Sequence, residues 1–140
     1  MNPTRARIGV VAASILVLSG TVILAPGAGW YGAAPALAAT QQQKTQARRN
    51  LDKVMATLSR VDIAYASGNA AEAQTGFEQA RSIWNLVAPA ISTREAREAQ
   101  LMFDGLGAKL KSGAPAADVK STVSGMLEEL SEDIAGELRR

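Results

Sequence analysis

The 140-residue chain contains no cysteine and no histidine. Without cysteine it carries no disulfide, no thiolate nucleophile and no iron–sulfur ligand. Without histidine it lacks the usual nitrogen donor of zinc sites, the base of a Ser-His-Asp triad and the proximal ligand of a globin-type haem. No serine or threonine has an imidazole to activate it, and no glycine-rich phosphate loop follows a strand pattern, so enzymatic activity is not expected. Aromatic residues are also few: two Phe, two Tyr and two Trp. Trp30 and Tyr31 stand near the N-terminus, which leaves Tyr65, Phe77, Trp84 and Phe103 for a modest core. No segment sustains the period-two alternation of a half-buried strand. An excess of one charge sign is missing too. With Arg5 and Arg7 set aside, thirteen basic residues face thirteen acidic ones. The signs are mixed along every segment, so the basic footprint of a nucleic-acid-binding protein is absent.

What is present begins with the layout of an export leader. Met1 to Arg7 is short and positive, and Ile8 to Ala25 is a largely apolar run of 18 residues. Pro26 and Gly27 break the run, and Ala36-Leu37-Ala38 offers a small-x-small cleavage site. This order is that of a secretory signal peptide over residues 1–38. Eighteen apolar residues also just reach across a bilayer, so an uncleaved membrane anchor is the alternative reading. On both readings the N-terminal segment engages the membrane during export, and residues 39–140 are expected outside the cytoplasm, periplasmic or otherwise secreted. A cysteine-free composition fits an exported protein that does not rely on disulfides.

The remainder reads as helix. Thr40 to Arg49 is polar and expected to fray at its start. From there apolar residues recur in steps of three and four. The first stripe is Leu51, Val54, Met55, Leu58, Val61 and Tyr65, ended by Ser67-Gly68-Asn69. Asn69 with Glu72 resembles a capping box and starts the second stripe, Ala73, Phe77, Ala80, Trp84 and Val87, which Pro89 ends or kinks. Ser92 with Glu95 forms a second capping box before Ala99, Met102, Phe103, Leu106 and Leu110. Gly113 stops that helix, and Pro115 opens the fourth, whose stripe is Val119, Val123, Met126, Leu127, Leu130, Ile134 and Leu138. Four amphipathic helices with short connections predict an all-α fold over residues 39–140, an antiparallel up-down four-helix bundle. Gly105, Gly107 and Gly125 fall inside helical patterns and mark either close helix approach or local looseness.

Three groups of residues could carry chemistry. Glu95 and Glu98, within Arg94-Glu95-Ala96-Arg97-Glu98, are three apart and share a helix face, where two carboxylates can hold a hard or borderline cation such as iron. The competing reading makes Glu95 the N3 residue of a capping box, with Arg94 and Arg97 neutralising the charge. Glu129, Glu132 and Asp133 form a second acidic patch, which is otherwise a solvated face opposite Leu127, Leu130 and Ile134. With no histidine, the Glu-x-x-His pairs of a ferritin-like di-iron centre are missing. Met55, Met102 and Met126 could offer thioethers to Cu(I), but each lies on an apolar stripe where methionine fills gaps.

Two resemblances bear on function. Gly68, Ala73, Phe77 and Ala80 stand at the small/aromatic spacing of a tetratricopeptide hairpin, though only one copy is visible. Across Leu51 to Leu138 the chain resembles the extracytoplasmic helical domain associated with bacterial high-affinity (Ftr-like) iron permeases. That likeness lies in Ala64-Tyr65-Ala66-Ser67-Gly68, Phe77-Glu78, Val87-Ala88-Pro89-Ala90, Glu98-Ala99, Phe103 and Gly113-Ala114-Pro115-Ala116-Ala117-Asp118-Val119. The Arg-Glu-x-x-Glu motif of that family lies in membrane helices, whereas Arg94 to Glu98 here starts an ordinary amphipathic helix. The resemblance implies an exported accessory protein of metal-ion (iron) uptake, with an inner-membrane metal permease as partner. It would act by docking or by weak carboxylate capture of a cation. The alternative is a structural helical interaction module with no metal role.

Overall fold

Each apolar stripe becomes one rod of helix, and the rods bury their stripes against one another. A computed structural model describes the backbone from Ala33 to Arg140 and side chains from Thr40 onward. Helix α1 spans Ala33–Ala66, α2 Ala70–Val87 and α3 Thr93–Ser112. The fourth rod is α4 (Ala116–Glu129), a π-helical turn (Leu130–Ile134) and α5 (Ala135–Arg139). No strand occurs among the described residues, and none of their helices is long and apolar enough to cross a membrane. The leader expected over residues 1–38 lies mostly outside the described residues. Its expected cleavage site, Ala36-Leu37-Ala38, falls within the first turns of α1.

The polar stretch Thr40 to Arg49 is helical, not frayed. Isolated polar helix is marginal in water, and tertiary packing supplies what propensity does not. Here Ala47 is fully covered, and Asn50 is buried with its Oδ1 accepting from Gln46 Nε2 at 3.3 Å. The rest of the α1 stripe is buried as the period requires, through Leu51, Val54, Leu58 and Val61. Helix ends follow local chemistry. Asn69 Oδ1 accepts from Glu72 N at 3.2 Å, and Glu72 accepts from the Asn69 side-chain amide at 2.7 Å. Pro89 lacks the N–H that would continue α2, and a 3-10 turn over Ala88–Ala90 follows. Gly113 adopts φ 66°, which lets Ala114 N–H reach the Lys109 carbonyl at 3.0 Å and close the end of α3. Pro115 stands at the cap position just before Ala116.

Helix α1 packs on α2 and α4, and α3 packs on the same two. With connections this short, sequential neighbours run antiparallel, giving the up-down four-helix ring. The Phe103 ring is fully buried between Phe77 (centroids 6.2 Å apart) and Trp84 (5.8 Å), at tilted angles. The Tyr65 hydroxyl donates to the Ala114 carbonyl at 2.6 Å and ties the end of α1 to the α3–α4 turn. Lys109 Nζ donates to Thr122 Oγ1 at 2.7 Å across the α3–α4 seam.

The π turn answers a feature of the stripe. Met126, Leu130, Ile134 and Leu138 step by four residues three times running, and all are buried. In an α-helix each such step drifts by about 40° from the core-facing direction. A wider π turn over Leu130–Ile134 absorbs the drift and keeps Ile134 and Leu138 inward.

Of the three glycines singled out in the sequence, Gly107 marks close approach; Gly76 on α2, whose Cβ would lie 3.0 Å from Val61 Cγ2, is another such site. A Cβ on Gly107 would sit 2.9 Å from Phe77 Cζ, whose ring is held in the core, whereas Gly105 and Gly125 face open space. Gly107→Ala is therefore expected to lose about 1–2 kcal/mol through overpacking. Gly125→Ala is expected to gain about 1 kcal/mol from helix propensity. Thermal melts of the two variants should move in opposite directions. Equal stabilisation by both would mean that α3 does not press on Phe77.

Candidate metal centre

The two acidic groups singled out in the sequence meet. Helix α3 begins where α4 ends, so Glu95 and Glu98 on the first turns of α3 face Glu129, the last residue of α4. Each offers one carboxylate oxygen, and these oxygens lie within 4.8 Å of one another. Glu95 and Glu129 are half-buried, while 45% of the Glu98 side chain is exposed.

A cap shared between helices frees Glu95. Ser92 is extended, and its Oγ accepts from Glu95 N at 3.3 Å, as a capping residue should. The reciprocal half of the expected box is not formed. Ser92 N–H donates instead to Glu137 Oε1 on α5, at 2.7 Å. Glu137 thus takes the role that the spacing predicts for Glu95, and the Glu95 carboxylate joins Glu98 and Glu129. This contact depends on how the fourth rod docks against the start of α3, which no local spacing reports.

Electrostatics within the cluster are unbalanced. Arg94 Nε donates to Glu98 Oε1 at 3.1 Å. That hydrogen bond, then the negative charges of Glu98, Glu95 and Asp133, hold the guanidinium above its ordinary pKa. The Arg94 side chain is 80% exposed, so the pair is screened and easily exchanged. Glu129 is pushed above the ordinary carboxylate range, first by burial and then by Asp133, Glu95 and Glu98, against the opposing pull of Arg94. Asp133 is exposed and lines a polar cleft of about 270 Å³ beside the cluster, with Ser92, Glu95, Glu137 and Arg140. Glu132 is exposed and lies outside the group of three. The patch expected from Glu129, Glu132 and Asp133 is therefore divided: Glu129 joins α3, Asp133 adds field, and Glu132 faces solvent.

Three carboxylates opposed by one guanidinium leave net negative charge and oxygen donors only. Two oxygens on opposite sides of a Ca²⁺-sized ion are about 5 Å apart, which this spacing accommodates. Such a set suits hard or borderline cations and not Cu(I). The methionines belong to the packing: Met126 is buried, and Met55 and Met102 lie partly buried against the core. No family model matches the chain, and neither the curated proteins nor the solved structures gave a match.

A carboxyl whose pKa is raised by folding binds its proton more tightly in the folded chain. Stability is then lost as pH rises through the folded pKa. Glu129→Gln removes this cost. The variant is expected to melt higher than the parent at neutral pH, with solvent screening holding the gain to about 1 kcal/mol or less. The two curves should converge as pH falls through the carboxylate range. A Glu129→Gln variant that melts lower at neutral pH would contradict the assignment.

Proposed function

We propose that this chain is an exported accessory protein of metal-ion uptake, iron foremost, which captures a cation weakly at Glu95, Glu98 and Glu129 and docks to an inner-membrane metal permease. The observation that carries the reading is the convergence of three carboxylate oxygens within 4.8 Å from two different helices. Three features support it. The cap on Ser92 is taken by Glu137, which leaves Glu95 for the cluster. The donor set is all oxygen, as hard and borderline cations prefer. The layout of residues 1–38 is that of an export leader. With no histidine or thiolate to tighten the grip, the site suits capture and release better than storage. Arg94 on Glu98 acts as an exchangeable counter-ion that a divalent cation displaces.

A second reading, the structural interaction module, is favoured by one observation. Leu86 is 64% exposed beside a groove of about 280 Å³ that it lines with Gln43, Gln46, Ala47, Pro89 and Ala90. The other large exposed apolar side chains, Ile63 and Leu101, stand on different helices, so no broad apolar face gathers around that groove.

Thermal unfolding with Fe(II), Fe(III), Mn(II) and Cu(II) separates the two readings. A cation that binds only the folded chain stabilises it by about 2.7 kcal/mol at a hundred times its Kd. For a domain of this size that raises the melting temperature on the order of 10 °C. The rise is expected with iron or manganese and should vanish in Glu129→Gln and in Glu95→Ala/Glu98→Ala. Melting curves unmoved by every ion would sink cation capture and leave the interaction module.

A further inference from the structure

Helix α1 differs from the rest of the bundle in charge. It carries Lys44, Arg48, Arg49, Lys53 and Arg60 against Asp52 and Asp62. From Ser67 onward the balance reverses, with eight basic and eleven acidic residues. Three of the five basic residues of α1 also share a side. Arg49, Lys53 and Arg60 are spaced by four and seven residues, so they fall on one stripe about 16 Å long. That stripe lies opposite the ridge that Leu51, Val54, Leu58 and Val61 bury. Arg48 lies farther round the helix, with the exposed Asp52 between it and the stripe, and all four basic side chains are exposed. None of them forms an ion pair with another described residue, whereas Arg81 pairs with Asp104 and Arg94 with Glu98. The acidic triad sits on the other side of the charge divide, with Glu95 and Glu98 on α3, the helix diagonal to α1 in the ring.

We propose that the exposed stripe of α1 is an electrostatic docking surface for an anionic lipid bilayer. The stripe is a convex row of long, unpaired side chains with small residues such as Ala56 between them. Only its far end, Arg60, borders the cleft lined by Ser67, Asn69 and Glu72, and Arg49 and Lys53 stand clear of it. Such a row offers charge but little shape. A lipid surface supplies the matching diffuse negative charge without demanding shape. The same helix follows the apolar run Ile8 to Ala25 in the chain, which makes a membrane the occupant best matched to it. Docking holds whether or not the leader is removed, and with the leader cleaved the stripe becomes the attachment. It also orients the bundle, because the bilayer attracts α1, with five basic and two acidic residues, more than α3, with four and three, and repels the fourth rod, with two and six. The cation cluster then points away from the lipid charge. The proposal rests on the membrane-engaging reading of the leader and does not need the cluster to bind a metal.

The absence of cysteine permits a clean test in the full chain. A single cysteine replacing Ala56 on α1, or Ala108 on α3, is labelled with an environment-sensitive fluorophore. The chain is mixed with vesicles of phosphatidylcholine, alone or with phosphatidylglycerol. Phosphatidylglycerol should shift the label at position 56, shield it from an aqueous quencher and leave the label at position 108 unchanged. High salt should reverse the effect, because exposed charges are screened. A basic residue near an anionic surface contributes about 1 kcal/mol, a factor of roughly five. Arg49→Gln/Lys53→Gln should therefore weaken the response roughly twenty-five-fold. Lys111→Gln/Lys120→Gln, which removes the same charge elsewhere, should not. Glu129→Gln should keep the lipid response, which separates this proposal from the metal reading. Equal responses at positions 56 and 108, indifference to phosphatidylglycerol, or equal losses in the two charge-removing double variants would overturn it. So would salt-sensitive self-association without vesicles, which would assign the basic face to the acidic side of a second copy.

Discussion

Phe103 lies between Phe77 and Trp84, and that three-ring contact holds α3 against α2. In a chain with no disulfide and few aromatics, it is the largest concentration of buried side-chain volume. It fixes α3 in height and rotation, helped by Gly107, where the absence of a side chain lets the helix press on Phe77. The positions of Glu95 and Glu98 follow, because they stand one to two turns before Phe103 on the same helix. A cluster of like charges cannot assemble itself, since each carboxylate repels the next. The apolar seam supplies the favourable energy and the acidic group is carried along with it.

This arrangement explains how a domain without histidine can still bring oxygen donors together. Two of the three carboxylates come from the capped start of one helix, where backbone N–H groups are left without helical partners, and the third from the last residue of α4, where the rod runs on into the π turn. Glu137 satisfies the Ser92 N–H and so releases Glu95 from the cap. One acidic residue serves the backbone and another is left available. The raised pKa of Glu129 records the cost of holding it in this company, with burial as the first cause and its acidic neighbours as the second.

The bundle is readable from the sequence because every stripe obeys a local period. Trp84, Phe103, Leu58 and Ile134 are buried where steps of three and four place them. Asn69 and Ser92 cap the helices they were expected to cap. The start of α1 is not readable, because Gln41 to Arg49 offers only Ala47 to a core, too little to make an apolar stripe. The candidate site is legible in halves. Glu95 with Glu98, and Glu129 among its acidic neighbours, are each visible as a local pattern. Their meeting depends on the α3–α4 seam, a relation between residues more than thirty positions apart. The four-residue steps from Met126 to Leu138 are plain in the spacing, but the widened turn that accommodates them is a property of the backbone.

That widened turn makes chain length, and not only residue identity, a determinant of the site. The π turn at Leu130–Ile134 accommodates a surplus residue within the fourth rod. Remove Ser131 and the buried steps read four, three and four, an ordinary α-helical spacing, so the turn closes up and all that follows keeps its face. Remove Gly136 instead, beyond the turn, and Glu137 rotates by about 100° about the helix axis. It would swing away from Ser92, and the orphaned N–H would turn to Glu95, the nearest carboxylate on its own helix. The acidic group would then surrender a member to the cap, with no acidic side chain lost.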